Sequence, residues 1–230
     1  MNNSSSAGVA VILVAAGRGR RLGGEIPKQY IPLDGVCSLR RCAEIFLSME
    51  GVGYILPVIH PDDAELCADA LGGLADERLM APVLGGETRA ASVRNGLEAL
   101  ETHAPFKVLI HDAARPFVSE RIIAEVIATL DEVDGAFAAL PVVDALWSVE
   151  DGAAVRPVPR DGLWRAQTPQ GFDFKKILGA HRGHDGSGAD DVAVAHEAGL
   201  GVRVVPGSER NFKITTQADL ERALRELALG

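Results

Sequence analysis

Glycines and basic residues alternate in one short segment near the start of the chain. Residues 15–23 read Ala-Ala-Gly-Arg-Gly-Arg-Arg-Leu-Gly, and Pro27-Lys28-Gln29 follows shortly after. Between positions 18 and 28, Arg18, Arg20, Arg21 and Lys28 are opposed by a single carboxylate, a local charge of +3. Glycines allow close approach of the backbone to a ligand, and cations neutralise phosphate oxygens. The segment therefore predicts a loop wrapped around a nucleoside triphosphate.

Two better-known phosphate motifs fit this segment less well. A dinucleotide fingerprint needs a third glycine where Leu22 stands, and a P-loop needs a Gly-Lys dipeptide, which the chain lacks. A solvated surface loop remains the competing interpretation. We rank it second, because the glycines follow directly on a buried strand.

Apolar runs and helical periodicity place this loop within an alternating pattern. Val9–Ala16 and Phe106–Ile110 are continuous apolar runs, typical of strands buried on both faces. Further strands are expected at 52–59, 135–140 and 202–205, with helices between them, one of them capped by Ser38 and another by Ser119. The pattern predicts an α/β fold, a Rossmann-like and mostly parallel twisted sheet with helices on both faces. The loops after Val14 and Ile110 should then open on one crevice.

Residues 142–168 interrupt this alternation. Asp151-Gly152 is a hairpin turn signal between two short β segments that carry Trp147 and Val155. The segment predicts a protruding β-arm, which packs either on its own body or on a second subunit. We expect a disordered lead-in at 1–8 and a single domain over 9–230.

Composition excludes several classes of protein. The 230 residues are 47% apolar and 24% charged, as in ordinary globular domains, and the net charge of −9 disfavours a general nucleic-acid binder. No apolar run is long enough to cross a membrane, and Met1 to Gly8 carry no basic residue. The three cysteines form no C-x-x-C pair, which favours reduced thiols in a cytoplasmic protein, and no zinc motif is present.

Six short motifs, in order along nearly the whole chain, resemble those of the 2-C-methyl-D-erythritol 4-phosphate cytidylyltransferases. They are Ala15-Ala16-Gly17-x-Gly19-x-Arg21, Pro27-Lys28-Gln29-Tyr30, Gly85-Gly86-Glu87-x-Arg89-x-x-Ser92-Val93, His111-Asp112-Ala113-Ala114-Arg115-Pro116, Gly162-Leu163-Trp164-x-Ala166-x-Thr168-Pro169-Gln170 and Asn211-x-Lys213-Ile214-Thr215. The resemblance implies transfer of a cytidylyl group from CTP to methylerythritol phosphate, with release of pyrophosphate, by a homodimer that needs Mg²⁺.

The resemblance also implies roles for individual residues. Arg21 and Lys28 should contact the triphosphate and stabilise the transition state, and Asp112 should hold the ribose or Mg²⁺. The CTP-binding set is Ala15, Ala16, Gly17, Gly19, Gly86, Ser92 and Asp112. The set that grips the second substrate's phosphate is Arg115, Arg160, Thr168 and Lys213. For Ser92 and Asp112, a back-bonding serine and a turn-forming aspartate are the plainer alternatives. We read Asp190-Asp191 as helix capping first.

One position departs from the family pattern. The arm usually carries Asp-Thr, whose hydroxyl contacts the substrate phosphate, but this chain has Asp144-Ala145, and Trp147 stands where a basic residue is common. One phosphate donor is therefore missing. A cytidylyltransferase for another polyol phosphate, such as ribitol 5-phosphate, and a non-catalytic nucleotide-binding domain are the alternatives.

Overall fold

The computed structural model describes residues 8–18 and 26–229, in which a seven-stranded sheet forms the centre. Its strands in chain order are β1 (Val9–Ala15), β4 (Val52–Ile59), β5 (Val83–Leu84), β6 (Lys107–Asp112), β7 (Gly135–Pro141), β10 (Trp164–Asp173) and β11 (Val202–Pro206). Two small sheets are separate from it: β2 (Pro32–Leu33) with β3 (Val36–Cys37), and β8 (Leu146–Glu150) with β9 (Ala153–Val158). Residues 1–7 of the predicted lead-in, and Gly19, Arg20 and Arg21, lie outside the described residues.

The sheet is mostly parallel, as predicted. Its strand order is β11-β7-β10-β6-β1-β4-β5, and only β10 runs antiparallel to its two neighbours. β1 and β6 are paired from Val9 opposite Lys107 to Val14 opposite Asp112. The loops after these two strands therefore open at the same edge of the sheet.

Seven α-helices complete the fold within the described part of the chain. They are α1 (Ser38–Leu47), α2 (Ala64–Leu71), α3 (Arg89–Leu100), α4 (Glu120–Thr129), α5 (Phe174–Gly183), α6 (Asp191–Glu197) and α7 (Gln217–Ala228). One core cluster unites α1, α2 and α4 with β1 side chains such as Val11 and Leu13. A second unites α3, α5 and α6 with Ala10 and Ile12, which point to the opposite face. Helices thus cover both faces, as predicted, and α7 packs near β2 through Leu33 and Ala223.

Two local predictions differ from the structure. Ser38 is the first residue of α1 rather than its cap, and its hydroxyl donates to the Ala113 carbonyl at 2.5 Å. Strand β10 was not expected, because Gln167, Thr168 and Gln170 interrupt its apolar pattern. All three are buried in the central sheet with hydrogen-bond partners from other parts of the chain. Ser119 does cap α4, accepting from the Ile122 amide.

The hairpin at Asp151-Gly152 is present, with both turn residues at positive φ (48° and 82°). Its strands form a sheet of their own, and the main sheet resumes at Trp164. Large apolar side chains are unusually exposed along this segment: Val143, Trp147, Val149, Val155, Leu163 and Trp164. None of the helices among the described residues is long and apolar enough to cross a membrane.

Candidate active site

A cavity of about 550 Å³ lies at the carboxyl ends of β1 and β6, where the sequence placed the crevice. Among the described residues, four basic side chains line it (Arg18, Lys28, Arg89 and Lys213) and two acidic ones (Glu87 and Asp112). The protein as a whole has a net charge of −9, yet the wall of this cavity is locally cationic. Such a cavity suits a polyanionic ligand.

The glycine-rich loop is fastened to the cavity wall by Gln29, whose role the sequence analysis missed. Its side-chain amide donates to the Ala15 carbonyl at 2.5 Å and to the Gly17 carbonyl at 3.2 Å. Ala16 and Gly17 line the cavity, whereas Ala15 is buried behind them. Arg18 is held by ion pairs to Asp62 and Asp63, on the loop that follows β4. Two other elements therefore fix the first residues of the loop.

Lys28 opens a short 3₁₀ helix, Lys28–Tyr30, and lines the cavity. Its ammonium donates to the Ile214 carbonyl at 2.8 Å, although the two residues are 186 positions apart. Ile214 in turn donates its amide to the Ala114 carbonyl, just beyond β6. The fold thus brings together three of the six sequence motifs, those that contain Lys28, Ala114 and Ile214.

Close packing explains the paired glycines at 85–86. A Cβ on Gly85 would lie 2.5 Å from the Ala16 Cβ, and one on Gly86 would lie 2.6 Å from the Ala91 Cβ. Gly86 donates its amide to the Ser92 hydroxyl at 3.1 Å, and that hydroxyl donates back to the Thr88 carbonyl at 2.9 Å. Ser92 is therefore a back-bonding serine and also lines the cavity with Gly86. A contact between Ser92 and the cytosine base of CTP stays a prediction.

Asp112 is surrounded by cations at the end of β6. One carboxylate oxygen accepts from Lys213 Nζ at 2.8 Å and the other from Arg89 Nε at 3.3 Å, and Arg115 Nε lies 3.8 Å away. Burial alone would raise the pKa of Asp112, but the charges of Arg89 and Lys213 hold it well below its usual range. The carboxylate is therefore ionised.

A buried hydrogen-bond chain supports the backbone at Asp112. The Asp112 amide donates to the Thr168 hydroxyl at 3.1 Å, and His111 Nδ1 lies 3.1 Å from the same hydroxyl. Burial lowers the pKa of His111 to about 4, so its ring is neutral. Nε2 faces the Arg115 carbonyl, which can only accept, so Nε2 carries the proton and Nδ1 accepts from Thr168. The Thr168 proton is thus directed inward in this structure, and its contact with substrate stays a prediction.

Only some of the residues predicted to bind the second substrate's phosphate line the cavity within one chain. Lys213 lines the cavity, whereas Arg115 turns its guanidinium towards the Asn211 carbonyl, to which it donates at 2.8 Å. Arg160 is exposed beside the hairpin and donates to the Val143 carbonyl. Within one chain, Arg160 therefore does not line this cavity.

Arg89, which belongs to the Gly85–Val93 motif but was assigned no role from the sequence, lies on the cavity wall between two aspartates. Its Nη2 is 2.8 Å from Oδ2 of Asp191 while its Nε contacts Asp112. Asp190 caps α6 as predicted, accepting from the Ala193 amide at 3.0 Å, but Asp191 does not. No sequence pattern pairs positions 89 and 191, so only the fold reveals this ion pair.

Comparison with known proteins gives one consistent result. The family model described as IspD, 2-C-methyl-D-erythritol 4-phosphate cytidylyltransferase, matches residues 9–228. A 2-C-methyl-D-erythritol 4-phosphate cytidylyltransferase of Cereibacter sphaeroides is 50% identical, over 96% of this chain and 97% of that protein. A bifunctional enzyme IspD/IspF of Rhodobacter capsulatus is 51% identical over 94% of this chain, which spans 55% of that longer protein. The crystal structure of a 4-diphosphocytidyl-2C-methyl-D-erythritol synthase from Anaerococcus prevotii superposes with a TM-score of 0.82, at 28% identity and 96% coverage of both chains.

Proposed function

This chain belongs to the family of 2-C-methyl-D-erythritol 4-phosphate cytidylyltransferases, and we propose how its cavity carries out their reaction. The enzyme transfers a cytidylyl group from CTP to 2-C-methyl-D-erythritol 4-phosphate in isoprenoid precursor synthesis. The observation that carries the proposal is the cationic cavity beside the glycine-rich loop, which is lined by Lys28, held by the Ile214 carbonyl, and by Lys213, paired with Asp112. CTP lies in this cavity with its cytosine towards Gly86 and Ser92.

The chemistry is attack by an oxygen of the substrate phosphate on the α-phosphorus of CTP. A new P–O bond forms, the bond to the β-phosphate bridging oxygen breaks, and pyrophosphate leaves with that electron pair. A phosphate monoester has a second pKa of about 6, so the nucleophile is ionised at neutral pH and needs no general base. His111 does not line the cavity, and both of its ring nitrogens already have hydrogen-bond partners, so it is not placed to take a proton from the substrate.

Lys28 and Arg21 supply the charge that the reaction needs. The transition state spreads negative charge over the oxygens of the reacting phosphorus, so preorganised cations stabilise it more than they stabilise the bound substrates. Lys28 is already positioned by its bond to the Ile214 carbonyl and need not be ordered on binding. Lys213 binds the phosphate of the second substrate from the cavity wall, and Arg115, Arg160 and Thr168 complete the predicted set. Thr168 would first have to turn its hydroxyl proton away from His111.

Asp112 fits the requirements of a magnesium ligand. A carboxylate has about four acceptor positions, and the contacts to Lys213 and Arg89 leave others free. Mg²⁺ is usually held by one or two carboxylates together with substrate phosphates, and Asp112 would be that carboxylate. When bound, Mg²⁺ neutralises phosphate charge on CTP.

The hairpin of β8 and β9 supports a homodimer. A lone two-stranded ribbon is marginally stable in water, and contiguous exposed apolar surface marks an interface. Trp147 is 54% exposed and Val149 59%, on strands that do not join the main sheet. We propose that the hairpin packs on a second copy and carries Arg160 to the active site of that copy. The enzyme would act in the cytoplasm.

A direct assay tests the function. Incubation of the protein with CTP, Mg²⁺ and methylerythritol phosphate should release one pyrophosphate for each cytidylyl product formed, measured by coupled pyrophosphate detection. Removal of Mg²⁺ with a chelator should abolish release. Turnover with ribitol 5-phosphate but not with methylerythritol phosphate would contradict the assigned substrate.

We expect Ala145→Thr to lower KM for methylerythritol phosphate about tenfold, with KM for CTP unchanged. Ala145 is exposed just before β8, and a hydroxyl there would restore one hydrogen bond to a phosphate, worth about 1.5–3 kcal/mol at most. Steady-state kinetics with each substrate varied in turn would measure the change. Ala153→Thr, on the exposed β9, is the matched control and should change neither constant. A change confined to CTP would show that Ala145 does not face the substrate phosphate.

A further inference from the structure

Asp191 is a buried carboxylate whose role the reaction does not explain. It is the first residue of α6, 1% exposed, and it does not line the cavity. Its Oδ2 lies 2.8 Å from Nη2 of Arg89, and its Oδ1 lies 3.2 Å from Nε2 of the buried His181 on α5. The side chain therefore turns inward, towards the back of the active site.

Stability alone does not account for this arrangement. Removing a carboxylate from water is costly, and well-packed apolar residues often replace a buried ion pair without loss of stability. Capping of α6 does not explain it either, because Asp190 accepts from the Ala193 amide. What the pair does achieve is a fixed orientation of Arg89, the one cavity residue that Asp191 contacts through an ion pair among those described.

We propose that Asp191 is a positioning residue that acts on CTP binding through Arg89. A guanidinium is planar, with its donors in a fixed array, so anchoring one donor fixes the direction of the others. Asp191 holds Nη2, and the neighbouring Nε is thereby presented to Oδ1 of Asp112. Arg89 is also the first residue of α3, directly after the Gly86 loop, so the same contact holds that loop beside Asp112. The inference rests on the proposed function, because CTP is the readout.

Asp191→Asn is the first test, because it removes the charge with little change of shape. We expect KM for CTP to rise about tenfold, since Arg89 is then free to turn away from Asp112, with a smaller change in kcat. Asp190→Ala is the matched control: it removes the cap of the same helix and one acceptor of Gln170, and it leaves the ion pair between Arg89 and Asp191 in place. It should lower Tm and leave KM for CTP within about twofold of wild type.

A double-mutant cycle distinguishes positioning from general destabilisation. If Asp191 acts through Arg89, Asp191→Asn should have almost no further effect on kcat/KM for CTP in an Arg89→Met background. The proposal would be overturned if the fold-changes of the two single variants multiplied in the double variant. It would also be overturned if folded Asp191→Asn had a wild-type KM for CTP. If Asp191→Asn does not fold, Arg89→Lys replaces it, since an ammonium cannot span both carboxylates, and a wild-type KM would again overturn it. Failure of the wild-type protein to turn over CTP would instead refute the proposed function.

Discussion

Replacing Lys28 with alanine is expected to lower kcat by about 100-fold or more, the usual scale for removing a preorganised donor to the transition state. The ammonium lies on the cavity wall, fixed by the Ile214 carbonyl at 2.8 Å, where developing phosphate charge would meet it. Arg21→Ala is expected to have an effect of the same size. Single-turnover measurement of cytidylyl product at saturating CTP would separate loss of chemistry from loss of binding.

The matched control for Lys28→Ala is Lys175→Ala, which removes an equal charge from an exposed position on α5. It should leave kcat unchanged. Circular dichroism and thermal melting would establish that the Lys28 variant is folded, because loss of the Ile214 contact also loosens the segment that holds Lys213. A folded Lys28→Ala enzyme with a wild-type kcat would refute the assigned role.

Mixing two inactive variants is expected to restore activity if the active site is shared. Lys28→Ala and Arg160→Ala homodimers should each be nearly inactive. In a mixed dimer, one site carries both defects and the other carries neither, if Arg160 serves the site of the second subunit. Random pairing makes about half the dimers mixed, so about a quarter of wild-type activity should return. Activity would be measured after subunit exchange, verified with differently tagged chains.

The structure supplies an internal control for this experiment. Lys28 and Lys213 line the same cavity within one chain. Mixing Lys28→Ala with Lys213→Ala should therefore restore nothing, because every site in the mixed dimer carries one defect. Absence of recovery with Arg160→Ala, after verified exchange, would place Arg160 in its own subunit's site and reject the shared site. The family assignment would stand in either case.

Most strands of the central sheet, its helices and the edge at which the cavity lies can be predicted from the amino-acid sequence alone. Apolar runs such as Val9–Ala15 predict strands buried on both faces, because residues of alternating orientation are all apolar. Strands of this kind are typical of parallel sheets, in which the loops at the carboxyl ends of neighbouring strands open on one crevice. Gly17, Lys28 and Asp112, the last residue of β6, can therefore be assigned to one cavity from the sequence alone.

The partners of these residues become known only from the folded chain, since the contacts join positions far apart in the sequence. Strand β10 was not predicted because Thr168 and Gln170 are polar. They can be buried in a central strand because His111 and Asp190, which are distant in the sequence, satisfy their hydrogen bonds. Likewise, Asp191 looked like a cap until the fold brought it within 2.8 Å of Arg89. The periodicity of apolar residues indicates which face of a helix or strand is buried. A buried polar group, however, is explained only by its hydrogen-bond partner, and the packing of whole helices and strands determines which residue that partner is.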